Sequence, residues 1–469
     1  MIGVILILTP VMLGLVVVLL GKSKYLAFAI VAYPAFMILW SIIFPGMTYR
    51  ISEGMFPVIN MDFMRLRIDE LVFYGIAGIW AVWMILSGLS RKKQGLYLSG
   101  KSILLALIIY LWIVSSVVLG FINQNPSVIG DFRFIAPTLV GLPMAVWALR
   151  RIEQRRLLWI VKWTVSLLVI SNLLLLFSQF PVFQDISYFN LWPRHVPSVG
   201  FTIILFVGLF AFFVFGRPSW PILMGVIVPL ILAVFFIAKW WILGIIIGVL
   251  FVWYAALFGK SRLPLFTKKI GRVVSLSLFI GLVAVVVTKI FPEKVGQSLV
   301  TFEQRIYRED AGGDMSGGRF QMWEVIIKRI AEHPIVGSGI GFRPPEMVKG
   351  KDYGYIEDHN AVLWLAVRFG IPFLLLLAGL GFRFWRMGWR TYQTEYRQFQ
   401  KTLILACMGN FIVILGLSLV GQWVLLYEIN VFFCWSIAGV LALRSRGQVR
   451  LPQAPAIGGS LSRDGACDA

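Results

Sequence analysis

The side chain best suited to proton transfer is His359, in the triplet Asp358-His359-Asn360. An apolar run follows directly, so we expect the imidazole to lie in the first turn of a helix, with Asp358 as the N-cap. The positive end of the helix dipole disfavours imidazolium, although the Asp358 carboxylate opposes that effect. A neutral imidazole at a water-facing membrane boundary can act as general base on a hydroxyl. The alternative is a surface or capping histidine without a catalytic role.

The two remaining histidines stand in different settings. His195 shares the segment WPRHVPSVG with Arg194, and we keep both residues as candidate substrate contacts. His333 directly precedes Pro334 at the predicted end of a helix, so we favour a surface position for it.

Metal and thiol chemistry find little support in the sequence. Cys407 and Cys434 lie in apolar runs and Cys467 in the C-terminal tail, without the paired spacing of a zinc or redox site. No Asp-x-Asp pair occurs, so the metal-chelating motif of nucleotide-sugar enzymes is absent. We predict that the protein needs neither a metal nor another cofactor, although a lone external carboxylate could bind a cation weakly.

The composition excludes a soluble protein. Of 469 residues, 59% are apolar and 14% are charged, whereas ordinary globular domains average roughly 45–50% and about 25%. Apolar runs recur from Ile2 to Leu443, each close to the about 20 residues that cross a bilayer as a helix. We therefore predict an all-α, polytopic membrane bundle of about thirteen transmembrane helices, with one long external loop that carries an amphipathic helix.

The predicted transmembrane domain covers residues 1–443, and 444–469, rich in Gly, Pro, Ala and Ser, should form a disordered cytoplasmic tail. The first run has no cleavage pattern, so we interpret it as a retained span and not as a signal peptide. The predicted spans are 2–20, 25–44, 71–89, 102–121, 134–149, 157–178, 199–216, 219–237, 240–258, 273–291, 361–382, 402–421 and 423–443.

The net charge of +21 is unevenly distributed over the connections between these spans. One set of alternate connections holds about 25 Lys and Arg residues, and the positive-inside rule makes that set cytoplasmic. The N-terminus is then external and the C-terminus cytoplasmic. Since topology accounts for the basic excess, we expect no nucleic-acid partner. The acidic residues on the cytoplasmic side are Glu153, Glu395, Asp464 and Asp468.

The external segment 292–360 is the longest connection in this topology. Loops longer than about 12–15 residues without secondary structure are uncommon unless they are functional. Its apolar periodicity predicts an amphipathic helix from Arg319 to Glu332, lying on the membrane surface or capping the bundle. Pro334 ends this helix, and Gly337, Gly339 and Gly341 allow a tight backbone path that side chains would obstruct. The alternative is that helix and turn merely pack as a lid.

Two stretches in this region resemble a family signature. SGGRFQMWEVIIKRIAEHPIVGSGIGF and DHNAVLWLAVRFGIP together are similar to the signature of the O-antigen ligase and O-antigen polymerase superfamily. Its order is Arg, Trp, His-Pro-(x)2-Gly-x-Gly, then His-Asn opening a helix that ends near a Gly. The signature region covers about residues 305–382. The long loop between the tenth and eleventh spans also agrees, although that family has nearer twelve spans with both ends inside.

The resemblance implies a membrane glycosyltransferase that moves glycan from a polyprenyl diphosphate carrier to an acceptor hydroxyl, on the external face of the bacterial inner membrane. It implies His359 as the catalytic histidine and Arg319 as a diphosphate contact. Family members often carry Ser-Arg where this chain has Ala238-Lys239. Lysine lacks the guanidinium fork, so the transfer of that role to Lys239 stays open.

Breaking a sugar–phosphate bond develops negative charge on the leaving diphosphate, which fixed cations at the membrane surface can stabilise without a metal. The candidates for this role are Lys239, Arg319 and Arg194. His195, which follows Arg194 in the chain, is a further candidate substrate contact. Attack from the side opposite the leaving group, with His359 accepting the proton, would invert the anomeric centre, as the resemblance implies.

Within this family we favour a polymerase of O-antigen or exopolysaccharide repeat units over a ligase that joins glycan to lipid A core. The partners are a polyprenyl-diphosphate-linked oligosaccharide donor, a glycan or lipid-linked acceptor, and membrane lipids.

The alternative from another functional class is a flippase for lipid-linked glycan. The sequence shows no matching halves with interrupted spans, which argues against this alternative. A catalytically silent scaffold is the third. For Arg368 we favour a packing ion pair with Glu428 over a substrate role.

The charge distribution makes the topology testable. A reporter fused after Gln94 or Arg397 should read cytoplasmic, whereas a reporter inserted near Gly350 should read external. The measurement is paired phosphatase and fluorescent-protein fusions, and an external signal after Gln94 would overturn the assignment.

Overall fold

The computed structural model describes the chain in segments. These are 23–43, 68–89, 100–178, 196–216, 220–236, 239–259, 319–343, 360–395, 397–419, 421, 427–448 and scattered positions from 271 to 296. Of the described residues 90% are helical and none lies in a strand, which confirms the all-α prediction.

Fourteen α-helices and one π-helical turn have defined bounds in these segments. They are α1 Ser23–Ile43, α2 Ile68–Leu89, α3 Gly100–Ile122, α4 Val128–Ala136, the π-turn Pro137–Gly141, α5 Leu142–Arg151, α6 Gln154–Phe177, α7 Val196–Phe215, α8 Trp220–Phe236, α9 Lys239–Phe258, α10 Arg319–Glu332, α11 Ala361–Phe369, α12 Ile371–Thr394, α13 Gln398–Ser418 and α14 Tyr427–Gln448.

Five helical stretches are long and apolar enough to cross a membrane, judged over the described segments. Further apolar helices are shorter. The predicted run 2–20 lies outside the described residues, and 273–291 is described only at scattered positions, all helical. The five stretches are Ser23–Ile43, Val128–Arg151, Gln154–Phe177, Ile371–Thr394 and Gln398–Ser418.

The predicted continuous span 361–382 is wrong, because the chain forms two helices that meet at Gly370. This residue has φ +82°, and a Cβ atom there would overlap the carbonyl oxygen of Ile335. The carbonyl oxygen of Pro334 accepts a hydrogen bond from the Ile371 amide at 2.8 Å. The break therefore lets another segment reach the backbone, a feature that hydropathy cannot reveal.

Two other helices extend beyond their predicted bounds. The span predicted at 134–149 begins already at Val128, because α4 and α5 join through the π-turn at Pro137. Proline lacks the N–H that an α-helical turn needs, which accounts for the local π geometry. At the other end of the chain, α14 continues to Gln448, into the segment predicted to be a disordered tail.

The main hydrophobic core lies among α1, α5, α6, α7, α8, α9, α13 and α14. Two smaller clusters stand apart from it. One joins α3, α4, α11 and α12 through Ile113, Val128, Trp364 and Phe373, with Ile340 at its centre. The other joins α10 to α11. These small clusters position the region that carries the family signature.

Candidate functional site

Two of the predicted site residues lie at the starts of described helices. Arg319 is the first residue of α10 and Lys239 the first of α9, and the side chains of both lie outside what is described. His359, Arg194 and His195 also lie outside the described residues. The described residue next to His359 in the chain is Asn360, at the start of α11.

Asn360, and not Asp358, is the N-cap of α11. Its Oδ1 accepts hydrogen bonds from the amides of Val362 at 2.9 Å and Leu363 at 3.1 Å. Asparagine caps as well as aspartate, and its amide also donates to the Leu419 carbonyl oxygen at 2.8 Å, which a carboxylate could not do. The expectation that His359 lies in the first helical turn is thus wrong, since it precedes the cap.

The start of α11 is fixed against the end of α13. Besides the bond from Asn360 to Leu419, the Ala361 amide donates to the Gly421 carbonyl oxygen at 3.1 Å. These two contacts hold the backbone next to His359 at one end of the bundle.

Lys239 belongs to the same end. Helices α9 and α13 run antiparallel, because Ile247 lies against Gly416 and Phe251 against Gly409. Lys239 stands eight residues before Ile247, about 12 Å further along the helix at 1.5 Å per residue. The first residue of α9 therefore lies towards the end where α13 stops and α11 begins.

The Gly-rich turn after α10 is built as the sequence predicts. Gly337, Gly339 and Gly341 have φ values of +71°, +84° and +80°. A Cβ atom on Gly337 would lie 2.5 Å from the Arg368 carbonyl carbon, and one on Gly339 would lie 2.6 Å from the Gly120 nitrogen. Left-handed φ and close backbone approach both require glycine at these positions.

The backbone of this turn bonds to two helices. The Ser338 amide donates to the Val367 carbonyl oxygen at 2.7 Å, and the Ile340 amide donates to the Ser116 carbonyl oxygen at 3.1 Å. Asn125 Nδ2 donates to the carbonyl oxygens of Ser338 at 3.0 Å and Ile340 at 2.9 Å. Non-helical backbone is tolerated at membrane depth only where protein satisfies its polar groups, so this turn is suited to an apolar setting.

Apolar side chains on the outer surface of the turn agree with such a setting. Ile335 is 65% exposed and Val336 is 54% exposed, although both belong to a hydrogen-bonded turn. The opposite side of the turn buries Ile340 completely.

Helix α10 has the predicted bounds and packs against α11. Ile326 and Ile330 are buried together with Ala366 and Val367, whereas Ile327, part of the same apolar periodicity, is 55% exposed. On the polar side, Arg329 donates a hydrogen bond of 2.6 Å to Glu332 and holds the pKa of that carboxyl below its usual value. The helix therefore covers α11 with one face.

A buried ionic network, absent from the sequence-based site, lies beneath this turn. Asp131 on α4 is fully buried and accepts a 2.6 Å hydrogen bond from Arg368 Nε on α11. Its other oxygen accepts a 2.6 Å bond from Arg343 Nη2, just past the turn. The Gly341 amide also donates to Asp131, at 3.2 Å. One carboxylate thus joins α4, the turn and α11.

Arg368 makes further contacts that hold its guanidinium in place. It donates to the carbonyl oxygens of Phe342 at 3.0 Å and Trp364 at 3.2 Å, and its guanidinium carbon lies 4.3 Å from the Trp364 ring centroid. The pairing of Arg368 with Asp131 was not anticipated. The side chain of the predicted partner, Glu428, lies outside the described residues.

One signal in the sequence could have identified Asp131. It is an acidic residue within three positions of a predicted span, in a chain whose long apolar helices also contain Arg368. Charges near or inside spans usually pair with each other. Because hydropathy places the start of the span at 134, Asp131 falls in the predicted connection before it.

Within the part of the chain that the structure describes, no group of three or more His, Cys, Asp or Glu residues could hold a metal ion. No model of a known protein family matches the chain, and no curated protein is similar to it in sequence. The resemblance to the O-antigen ligase and polymerase superfamily therefore stays a prediction that rests on the motif residues.

The close backbone packing makes Gly341 a critical position. Gly341→Ala would place a Cβ atom on the Val128 nitrogen and require φ +80° from alanine. Left-handed strain alone costs of order 1–3 kcal/mol, so we expect a lower melting temperature and a lower yield of monodisperse protein in detergent.

The matched control is Gly379→Ala on α12, where a Cβ atom meets nothing within 4 Å. Alanine favours a helix over glycine by up to about 1 kcal/mol, so this variant should be as stable as the wild type or more so. Equal melting temperatures for both variants would contradict the close packing at Gly341.

Proposed function

We propose that the protein is a membrane glycosyltransferase that transfers glycan from a polyprenyl-diphosphate carrier to an acceptor hydroxyl. The observation that carries this proposal is the Gly-rich turn. The signature glycines Gly337 and Gly339 have positive φ values, and the residues that follow them, Ser338 and Ile340, donate backbone hydrogen bonds to α11 and α3. The unit begins at Arg319 and packs against α11, whose N-cap is Asn360, so the described part of the signature region shares one packed scaffold.

The ionic network supports this reading because it holds the scaffold together. Asp131 ties α11 to the segment after the turn, and Asn360 ties the start of α11 to Leu419 at the end of α13. His359 directly precedes Asn360 in the chain. The proposed general base is therefore next to backbone that α11 and the end of α13 hold in place. Such support is what a site with defined geometry needs.

In the proposed reaction, His359 accepts the proton of the acceptor hydroxyl while the oxygen attacks the anomeric carbon. The sugar–phosphate bond breaks, and the carrier leaves as polyprenyl diphosphate. Arg319 and Lys239, with Arg194 as a further candidate, stabilise the charge on that leaving group. Attack opposite the leaving group inverts the anomeric centre, and the proposal includes no metal.

The proposal places this end of the bundle on the external face of a bacterial inner membrane, with about thirteen spans, an external N-terminus and a cytoplasmic C-terminus. Among acceptors we favour a carrier-linked repeat unit, which makes the protein a polymerase of O-antigen or exopolysaccharide. Transfer to lipid A core would make it a ligase, and the two acceptors can be compared directly in one assay.

The general base can be tested by replacing His359. His359→Ala should lower the rate of transfer by about 10² to 10⁴, while the carrier-linked donor still accumulates in the membrane. His333→Ala is the matched control, because His333 lies in the same signature but is exposed at the end of α10. Near-normal activity of the His359 variant in a purified assay would remove His359 from the mechanism.

The proposed diphosphate contacts of Arg319 and Lys239 can be tested with variants that change either the charge or the shape of the side chain. Arg319→Ala should lose a charge-assisted contact, and Arg319→Lys should recover only part of the activity because the bidentate geometry is lost. Lys239→Arg should be tolerated, whereas Lys239→Glu should be inactive. The measurement is polyprenyl diphosphate released by protein in detergent, without a second compartment.

That assay also separates an enzyme from a transporter. An enzyme lengthens or transfers glycan and releases the diphosphate in detergent, whereas a transporter makes no covalent change. If the wild type releases no diphosphate with a competent acceptor, and glycan instead crosses sealed vesicles in a manner that requires Arg319, the protein is a flippase.

A further inference from the structure

A cavity lies in the main core, away from the proposed site. It has a volume of about 190 Å³, is partly open to the exterior and is lined almost entirely by apolar atoms. It lies between α1, α6, α7, α13 and α14, and its wall also includes Leu149 of α5. For comparison, an apolar cavity of about 150 Å³ binds benzene, so this one can take part of an alkyl chain.

The cavity belongs to the end of the bundle opposite Asn360. Its wall includes α13 residues from Leu403 to Asn410, whereas Asn360 bonds to Leu419 beyond the other end of that helix. Leu149 and Leu157 on the wall flank the connection between α5 and α6.

Basic residues are close in sequence to the wall residues at this end of the cavity. Arg150, Arg151, Arg155 and Arg156 lie between Leu149 and the second turn of α6, and Arg444 follows the wall residue Leu443. Arg155 and Arg444 are exposed. Glu153 is the one acidic residue in the described stretch 149–157, and it pairs with Arg156 at 3.6 Å. An anionic head group would find complementary charge here.

We propose that this cavity binds one acyl chain of an anionic phospholipid whose phosphate contacts the exposed side chains of Arg155 and Arg444. Each basic residue near a membrane surface adds to the attraction of anionic lipid. The lipid would brace α6, α13 and α14 at the end of the bundle opposite the proposed active site. This inference is independent of the proposed glycosyl transfer.

The experiment uses the full chain in vesicles that contain phosphatidylglycerol with a photoactivatable group on one acyl chain. Crosslinks should map by mass spectrometry to peptides of α6, α13 or α14, and unlabelled phosphatidylglycerol should compete. Gly208 lines the cavity and a Cβ atom there meets nothing within 4 Å. Gly208→Leu should therefore fill the cavity and reduce these crosslinks to background.

Gly78→Leu on α2 is the matched control, since Gly78 is exposed and a Cβ atom there also meets nothing within 4 Å. It should leave the crosslinks unchanged. A second variant tests the head group without altering the core. Arg155→Gln with Arg444→Gln should lower the preference for phosphatidylglycerol over phosphatidylcholine by about thirtyfold.

Three results would overturn the proposal. One is equal labelling by phosphatidylcholine and phosphatidylglycerol probes. Another is unchanged labelling in a folded Gly208→Leu variant. The third is displacement of the probe by farnesyl phosphate but not by phosphatidylglycerol, which would assign the cavity to an isoprenoid. Because no outcome depends on transfer activity, the lipid site and the enzyme can fail separately.

Discussion

The ion pair between Asp131 and Arg368 is the interaction on which the signature region depends. Both side chains are almost completely removed from solvent, and an isolated charge at such a place is costly. Removing one partner of a buried pair typically costs about 3–5 kcal/mol, because the other charge stays behind unpaired. Since Asp131 also bonds to Arg343 and to the Gly341 amide, α4, the Gly-rich turn and α11 must assemble together. The pair therefore specifies one arrangement of three segments that are distant in sequence.

The glycines and the Asp131 carboxylate together allow the backbone of the turn to satisfy its hydrogen bonds. A non-helical segment in an apolar environment must satisfy its backbone groups, and here the amides of Ser338, Ile340 and Gly341 each have an acceptor. Those bonds require the turn to approach α3 and α11 more closely than side chains permit, which explains the glycines. The glycines of the signature thus have a structural role beside the site, and any catalytic role belongs to the residues that flank them.

Local patterns in the sequence predicted much of this scaffold. The apolar periodicity gave the bounds of α10 correctly, and Gly337, Gly339 and Gly341 indicated the tight turn, because both features depend on neighbouring residues. Three features that depend on distant residues were missed. Asp131 and Arg368 are 237 positions apart, the break at Gly370 depends on Ile335, and Asn360 was not recognised as the cap because its second partner, Leu419, belongs to another helix. Local patterns in a single sequence do not show which of these distant segments meet.

The two ends of the bundle have different physical requirements. At the Asn360 end, polar contacts hold short elements in a defined geometry, as a site for charged substrates needs. At the other end, α6, α13 and α14 leave an apolar cavity, and arginines outnumber the single acidic residue, Glu153, in the described stretch 149–157. Helices α13 and α9 connect both ends through the contacts of Gly409 and Gly416 with Phe251 and Ile247. Because bulky side chains at these glycines would push α9 away from α13, the close helix contact sets the position of Lys239 relative to the start of α11.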